Sequence, residues 1–263
     1  MVTVMDVYND LAAFAPLDMK MDFDNPGFLV GRGNKDVTGI VVSLDITDDV
    51  ISEAIEKKAQ LIVSHHPLFF SLKSVTDGDR TGRKLLRLAE NGIAAICMHT
   101  NLDAARGGVN DALAAAAGIE NAEILNVEGV RENGEAFSYG RVGELKAPMT
   151  MDEYLKMLKE NLHANGLRYH DAGKPVHRVG TVGGSGGGML ELALDAGCDT
   201  FVTADIKYDV FLAAKELGLN LIDADHFCTE NTVVPRLAEK LRADFPELTV
   251  MCSERHCQTA QFI

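Results

Sequence analysis

The chain has 263 residues, 46% of them hydrophobic, enough for one large domain or two interlocked ones. Lys and Arg number 25 against 39 Asp and Glu, a formal charge of −14, and a surface this acidic argues against general nucleic-acid binding. No apolar run approaches the roughly 20 residues of a membrane span.

The N-terminal stretch MVTVMDVYNDLAAF reads as a surface helix of a soluble protein and lacks the basic start of a signal peptide. From there two long stretches alternate strand-like and helix-like patterns. The first runs TGIVVSLD, an amphipathic DDVISEAIEKKA, LIVSHH, the helical GRKLLRLAENG, the apolar IAAICMH and VNDALAAAAG. The region 128–176 reads as a crossover, with a polar turn, a helix near 151–164 and a strand near 167–170. The second stretch runs HRVGTVGG, GMLELALDAG, TFVTAD, YDVFLAAKELG, LNLIDADH and the helical NTVVPRLAEKLRADF. Short apolar runs separated by helices of about 10–15 residues predict parallel βαβ units, and so an α/β fold. Gly92, Gly118, Gly197 and Gly218 each stand where a left-handed C-cap is expected.

The two stretches read as a repeat, divided into residues 1–127 and 128–263. A shift of 139 lays LIVSHH (61–66) on TFVTAD (200–205). A shift of 127 places His99 on His226 and Asp103 on Glu230. The five cysteines, Cys97, Cys198, Cys228, Cys252 and Cys257, are odd in number and widely spread, which suits reduced thiols in a cytosol.

The conspicuous polar residues lie just past the carboxyl ends of apolar strands, where parallel α/β sheets bind ligands. They are His65, His66, His99 with Asp103, and His226 with Glu230. Neighbouring residues of a regular strand point to opposite faces. Pro67 is expected to end the strand and let the second imidazole turn towards the first. Imidazole and carboxylate donors without a thiolate suit zinc, iron, manganese or nickel. Five such donors exceed what one ion with an open position uses, so two divalent ions are expected on His65, His66, Asp103, His226 and Glu230. His99 is expected beside them, and His99 and Asp225 are the candidate proton shuttles. His163, His170, His177 and His256 have no comparable setting and read as surface or packing residues. In GGSGGG (183–188), Gly184, Ser185 and Gly186 are candidates for an anion-binding turn, with Lys207 beside Tyr208 on the same edge.

The ordered set SHHPLFF (64–70), HTNLDAARGGVND (99–111), VGGSGG (182–187) and DADHFCTEN (223–231), with DNPGFLVG (24–31) and VVSLDIT (41–47), resembles the NIF3-like (DUF34) family, also labelled GTP cyclohydrolase I type 2 homologs. The resemblance implies two intertwined α/β repeats, a dinuclear metal centre on the five ligands named, and a homohexameric ring. Phe23 stands where the family usually has Trp, Asp225 where it usually has Gly, and Asp209 where a histidine is common. The short crossover implies that an inserted domain of longer members is missing. The functional expectation is a cytoplasmic metal-dependent hydrolase of a small anionic substrate, a nucleotide or phosphorylated metabolite. The alternative is a non-catalytic metal-handling or regulatory protein.

Overall fold

A computed structural model describes residues 1–263. The chain divides into two compact units, residues 1–105 with 234–257, and residues 106–233 with 258–263.

The first unit opens with α1 (Val4–Phe14), whose start is fixed by a reciprocal cap between Thr3 and Asp6. Its Val4, Val7 and Leu11 face is fully buried. Then come β1 (Gly27–Val30), β2 (Gly39–Ser43), α2 (Asp48–Glu56), β3 (Leu61–Ser64), α3 (Arg80–Glu90), β4 (Ala94–Cys97) and α4 (Thr100–Ala104).

The second unit holds α5 (Val109–Ala116), β5 (Glu120–Ile124), the small hairpin β6 (Gly129–Val130) and β7 (Ala136–Phe137), and β8 (Arg141–Met149). It continues with α6 (Met151–Asn161), β9 (Arg168–His170), β10 (Val176–Thr181), α7 (Leu190–Asp195), β11 (Thr200–Thr203), α8 (Tyr208–Leu217), β12 (Asn220–Asp223) and α9 (His226–Glu230). The chain then returns to the first unit through α10 (Val233–Asp244) and β13 (Thr249–Cys252). Pro235 sits in the first turn of α10, where its missing N–H removes no helical bond.

The first sheet has the order β1-β4-β3-β2-β13, with β13, β2, β3 and β4 parallel and β1 antiparallel at the edge. The second has the order β5-β8-β10-β11-β12-β9, with β10, β11 and β12 parallel and the others antiparallel. Every residue of β2, β3, β4, β11 and β12 is buried, as parallel strands covered on both faces require. In the second unit the alternation is visible directly. Val202 and Ile222 join one apolar cluster with Tyr154 and Leu158 from α6, while Phe201 and Leu221 join another with Leu190 and Ala193 from α7.

The fold is the mixed, mainly parallel α/β structure expected. The shift of 139 is matched by β3 and β11, at residues 61–64 and 200–203. At the third strand the equivalence falls one residue from the motif match, because β4 and β12 start at 94 and 220 and the helices after them at 100 and 226. The compact units differ from a division at residue 127, since β13 pairs with β2 and carries the C-terminal segment back to the first unit. All four glycines expected as left-handed caps have positive φ, between 61° and 77°. No helix is long and apolar enough to cross a membrane.

Candidate functional site

The first unit gathers three histidines and an aspartate past the ends of β3 and β4. The amides of His65 and His66 donate to consecutive carbonyls, Ser43 at 3.3 Å and Leu44 at 2.8 Å. A regular parallel strand sends alternate amides to opposite sides, so the chain has left strand geometry at His65, before Pro67. The two rings lie 4.9 Å apart, tilted by 41°. His99 stands 5.2 Å from His65 and 5.5 Å from His66, centroid to centroid, and ligand nitrogens of the three lie within 4.8 Å of one another. Asp103, on α4, places Oδ1 3.6 Å from Nε2 of His65.

Each ring is oriented through Nδ1. His65 Nδ1 meets the Met98 carbonyl at 2.8 Å, His66 Nδ1 meets Asp45 Oδ1 at 2.8 Å, and His99 Nδ1 meets Asp24 Oδ1 at 2.8 Å. Those acceptors fix the proton on Nδ1 and leave the lone pair on Nε2, the arrangement of metal-bound histidines. Asp24 is itself held by the Thr100 amide at 3.0 Å and hydroxyl at 2.5 Å. Burial alone would raise the Asp24 pKa, but these bonds from His99 and Thr100 outweigh it and hold the carboxyl well below its usual range. Asp45 behaves alike: burial is outweighed by His256 and His66. His256 Nε2 lies 2.9 Å from Asp45 Oδ2 and its side chain is 10% exposed, so it braces the site where the sequence suggested a surface or packing role.

The second unit supplies His226 and Glu230, one turn apart on α9. His226 Nδ1 meets Asp205 Oδ2 at 2.7 Å, and its Nε2 faces Glu230 Oε2 at 3.1 Å. Burial opposes charge on this imidazole, yet Glu230 and Asp205 push its pKa up to about 9. An Nε2 lone pair facing a carboxylate oxygen is repulsive unless a proton or a cation lies between, so this pair suits a bound cation. The chemistry of both donor sets therefore fits divalent ions.

Asp225 has φ 69° and ψ 135°, a backbone glycine adopts freely, which gives a physical reason for the family's glycine there. Its carboxylate caps α9, accepting from the Cys228 amide at 3.1 Å, and is engaged by Gln258 Nε2. Glu230 closes α9, a separate five-residue helix, instead of opening the long helix that follows.

Behind Glu230 lies the glycine turn. A Cβ on Gly184 would stand 2.2 Å from Glu230 Oε1 and 3.1 Å from His226 Nε2, and the residue has φ 62°. Its amide donates to Thr229 Oγ1 at 3.1 Å, that of Gly183 to Asn110 Oδ1 at 2.8 Å and that of Gly186 to Thr203 Oγ1 at 2.9 Å. The amides of Gly183, Gly184 and Gly186 are thus engaged inside the protein, while the Ser185 and Lys207 residues are exposed.

Sequence reasoning did not assign Asp24, Asp45 or Asp205 a role at the site, and it placed His256 outside it. The visible signal for Asp45 and Asp205 was position alone, two residues beyond β2 and β11.

A family model described as Duf34/NIF3 (NGG1p interacting factor 3) matches residues 2–258. A Clostridium acetobutylicum protein named GTP cyclohydrolase 1 type 2 homolog is 38% identical, the alignment covering 90% of this chain and 89% of that protein. Against a Staphylococcus epidermidis protein of the same name the alignment runs over 328 positions, longer than this whole chain, so that relative carries inserted sequence absent here. Among solved structures, Staphylococcus aureus hypothetical protein SA1388 superposes with a TM-score of 0.91 at 29% identity over 99% of both chains. Reduced HcgD from Methanocaldococcus jannaschii gives 0.80 at 27% identity, covering 96% of this chain and 98% of that one.

Proposed function

The chain belongs to the Duf34/NIF3 family, and on that premise we propose that it is a metal-dependent hydrolase of a small anionic molecule, with His65, His66, Asp103, His226 and Glu230 as ligands of two divalent ions. The observation supporting this is the common orientation of the imidazoles: His65, His66, His99 and His226 all engage an oxygen acceptor through Nδ1. A ring held through Nδ1 by an oxygen acceptor presents its Nε2 lone pair to a metal, as histidine ligands with such outer partners do.

Counting the five donors alone, two carboxylates against two divalent ions leave two positive charges at the ions for an anionic substrate, with Asp24, Asp45 and Asp205 one imidazole further out. Divalent ions in such a site supply Lewis acidity and a nucleophile at neutral pH. The chain supplies the proton handling. His99 holds its Nδ1 proton on buried Asp24, so Nε2 accepts a proton from the attacking group and Asp24 stabilises the resulting imidazolium. Asp225, engaged as a cap, positions His226. Ser185 and Lys207 meet the anionic group, and Gly184 and Gly186 shape the turn that carries Ser185. The relatives' name points to attack on a purine ring; the ligand residues themselves select for charge. Assembly into a ring of six copies is a separate proposal, checked by sedimentation.

The test is elemental analysis of protein purified without chelator, beside Glu230→Ala, followed by assay against phosphoesters, nucleotides and cyclic amides. About two ions per chain, falling sharply in the variant, with turnover lost in His66→Ala, is the expected result. Two exchangeable ions with no turnover across the panel would leave a metal-handling protein, and no stoichiometric metal would leave neither.

A further inference from the structure

Two phenylalanine rings stand beside the histidine cluster of the first unit with most of their surface in solvent: Phe23 is 64% exposed and Phe70 53%. Single exposed apolar residues are ordinary. These two form a pair, with centroids 6.0 Å apart and planes tilted by 53°, and Phe70 continues the series to His99 at 5.8 Å.

The pair is also mounted on the site's own framework. Phe23 immediately precedes Asp24, whose carboxylate holds His99 and Thr100. Phe70 lies four residues beyond His66. Between the two segments, Asn25 Nδ2 donates to the Phe69 carbonyl at 3.0 Å. The bond that orients His99 therefore anchors the residue next to Phe23, and Asn25 ties that segment to the one carrying Phe70. As a contact for a second copy of the chain the step is small. Two phenylalanines cover roughly 300–500 Å² at most, against about 800 Å² per partner in a stable interface.

We infer that Phe23 and Phe70 form a stacking platform for a planar heteroaromatic ring carried by the anionic substrate. The inference rests on the metal-site reading above and narrows its substrate class from anions in general to ring-bearing phosphates such as nucleoside monophosphates. Ring stacking suits this position because it tolerates different bases and needs no polar donor from the platform.

The test uses full-length metal-loaded protein, with metal content measured on each sample. Nucleoside 5′-monophosphates and ribose 5-phosphate are titrated by calorimetry, and the fluorescent 1,N6-ethenoadenosine monophosphate reports stacking by quenching. The nucleotides bind roughly 5- to 100-fold tighter than ribose 5-phosphate. Phe23→Ala and Phe70→Ala each shrink that difference and the quenching, leaving ribose 5-phosphate affinity and metal content unchanged, while Phe23→Trp preserves both. Equal affinity for nucleotides and ribose 5-phosphate in protein that holds its ions overturns the platform and leaves the metal site standing. Substitutions that change sedimentation but not the nucleotide preference also overturn it, assigning the rings to a contact between copies. A sample that binds no metal removes both readings.

Discussion

His256 shows how far a ligand's support can lie from it in sequence. Its Nε2 and the His66 Nδ1 take the two oxygens of Asp45, at 2.9 and 2.8 Å. His256→Ala removes one of the two anchors without touching a ligand, so metal affinity falls about 10-fold or more. Competition with a fluorescent chelator measures it; unchanged affinity beside a lowered Tm would reduce His256 to a tether. Asp24 makes a different prediction. Its pKa is depressed in the fold, so its contribution is fully present above the unfolded value of about 3.9 and is lost as pH falls through the folded value. Asp24→Asn should cost about 2–3 kcal/mol near neutrality, and the Tm gap from wild type should hold above about pH 5 and narrow progressively as pH falls below about 4 towards the depressed folded value. The ligand candidates were legible because imidazole and carboxylate at strand ends form a chemical pattern. Their braces were not: His256 and Asp45 are 211 residues apart, and Asp24 and His99 are 75 apart, so only the folded chain pairs them.

At the scale of elements, the turn after β10 does its work by excluding volume. Gly184 combines a positive φ with a space already filled by Glu230, whereas Gly188, four residues on, has nothing within 4 Å of a added Cβ. Gly184→Ala must strain the backbone and displace the carboxylate, costing about 1–3 kcal/mol or roughly 2–12 °C in Tm, with loss of metal. Gly188→Ala should change neither, and calorimetry with elemental analysis on the pair separates position from composition. The buried parallel strands were legible as short apolar runs between helices. Of the antiparallel additions, β9 was expected near 167–170, but β5 and β8 were missed for physical reasons. Four of the five β5 residues are exposed and carry no apolar signal, and β8 includes Gly143, Lys146 and Pro148. The outer strand β13 gave no warning because its pairing with β2 depends on the chain's return to the first unit.

For the whole molecule, the question is whether the two donor sets act as one. The proposed ligands divide between the units, His65, His66 and Asp103 lying in the first and His226 and Glu230 in the second. Ligand binding to the native state alone stabilises by RT ln(1 + [L]/Kd), about 2.7 kcal/mol at 100 times Kd. For a chain of this size that is roughly 5–11 °C in Tm, and chelation should remove it. Shared ions would make this stabilisation common property: Glu230→Ala, in the second unit, would then abolish metal-dependent protection of the amides of β3 and α4 in the first. Independent sets would leave that protection intact in the variant and confine the loss to α9. Hydrogen exchange with and without metal, in wild type and Glu230→Ala, decides between them. The expected outcome is loss in both units, because His226 and Glu230 alone offer two protein donors, fewer than the three that catalytic zinc sites use.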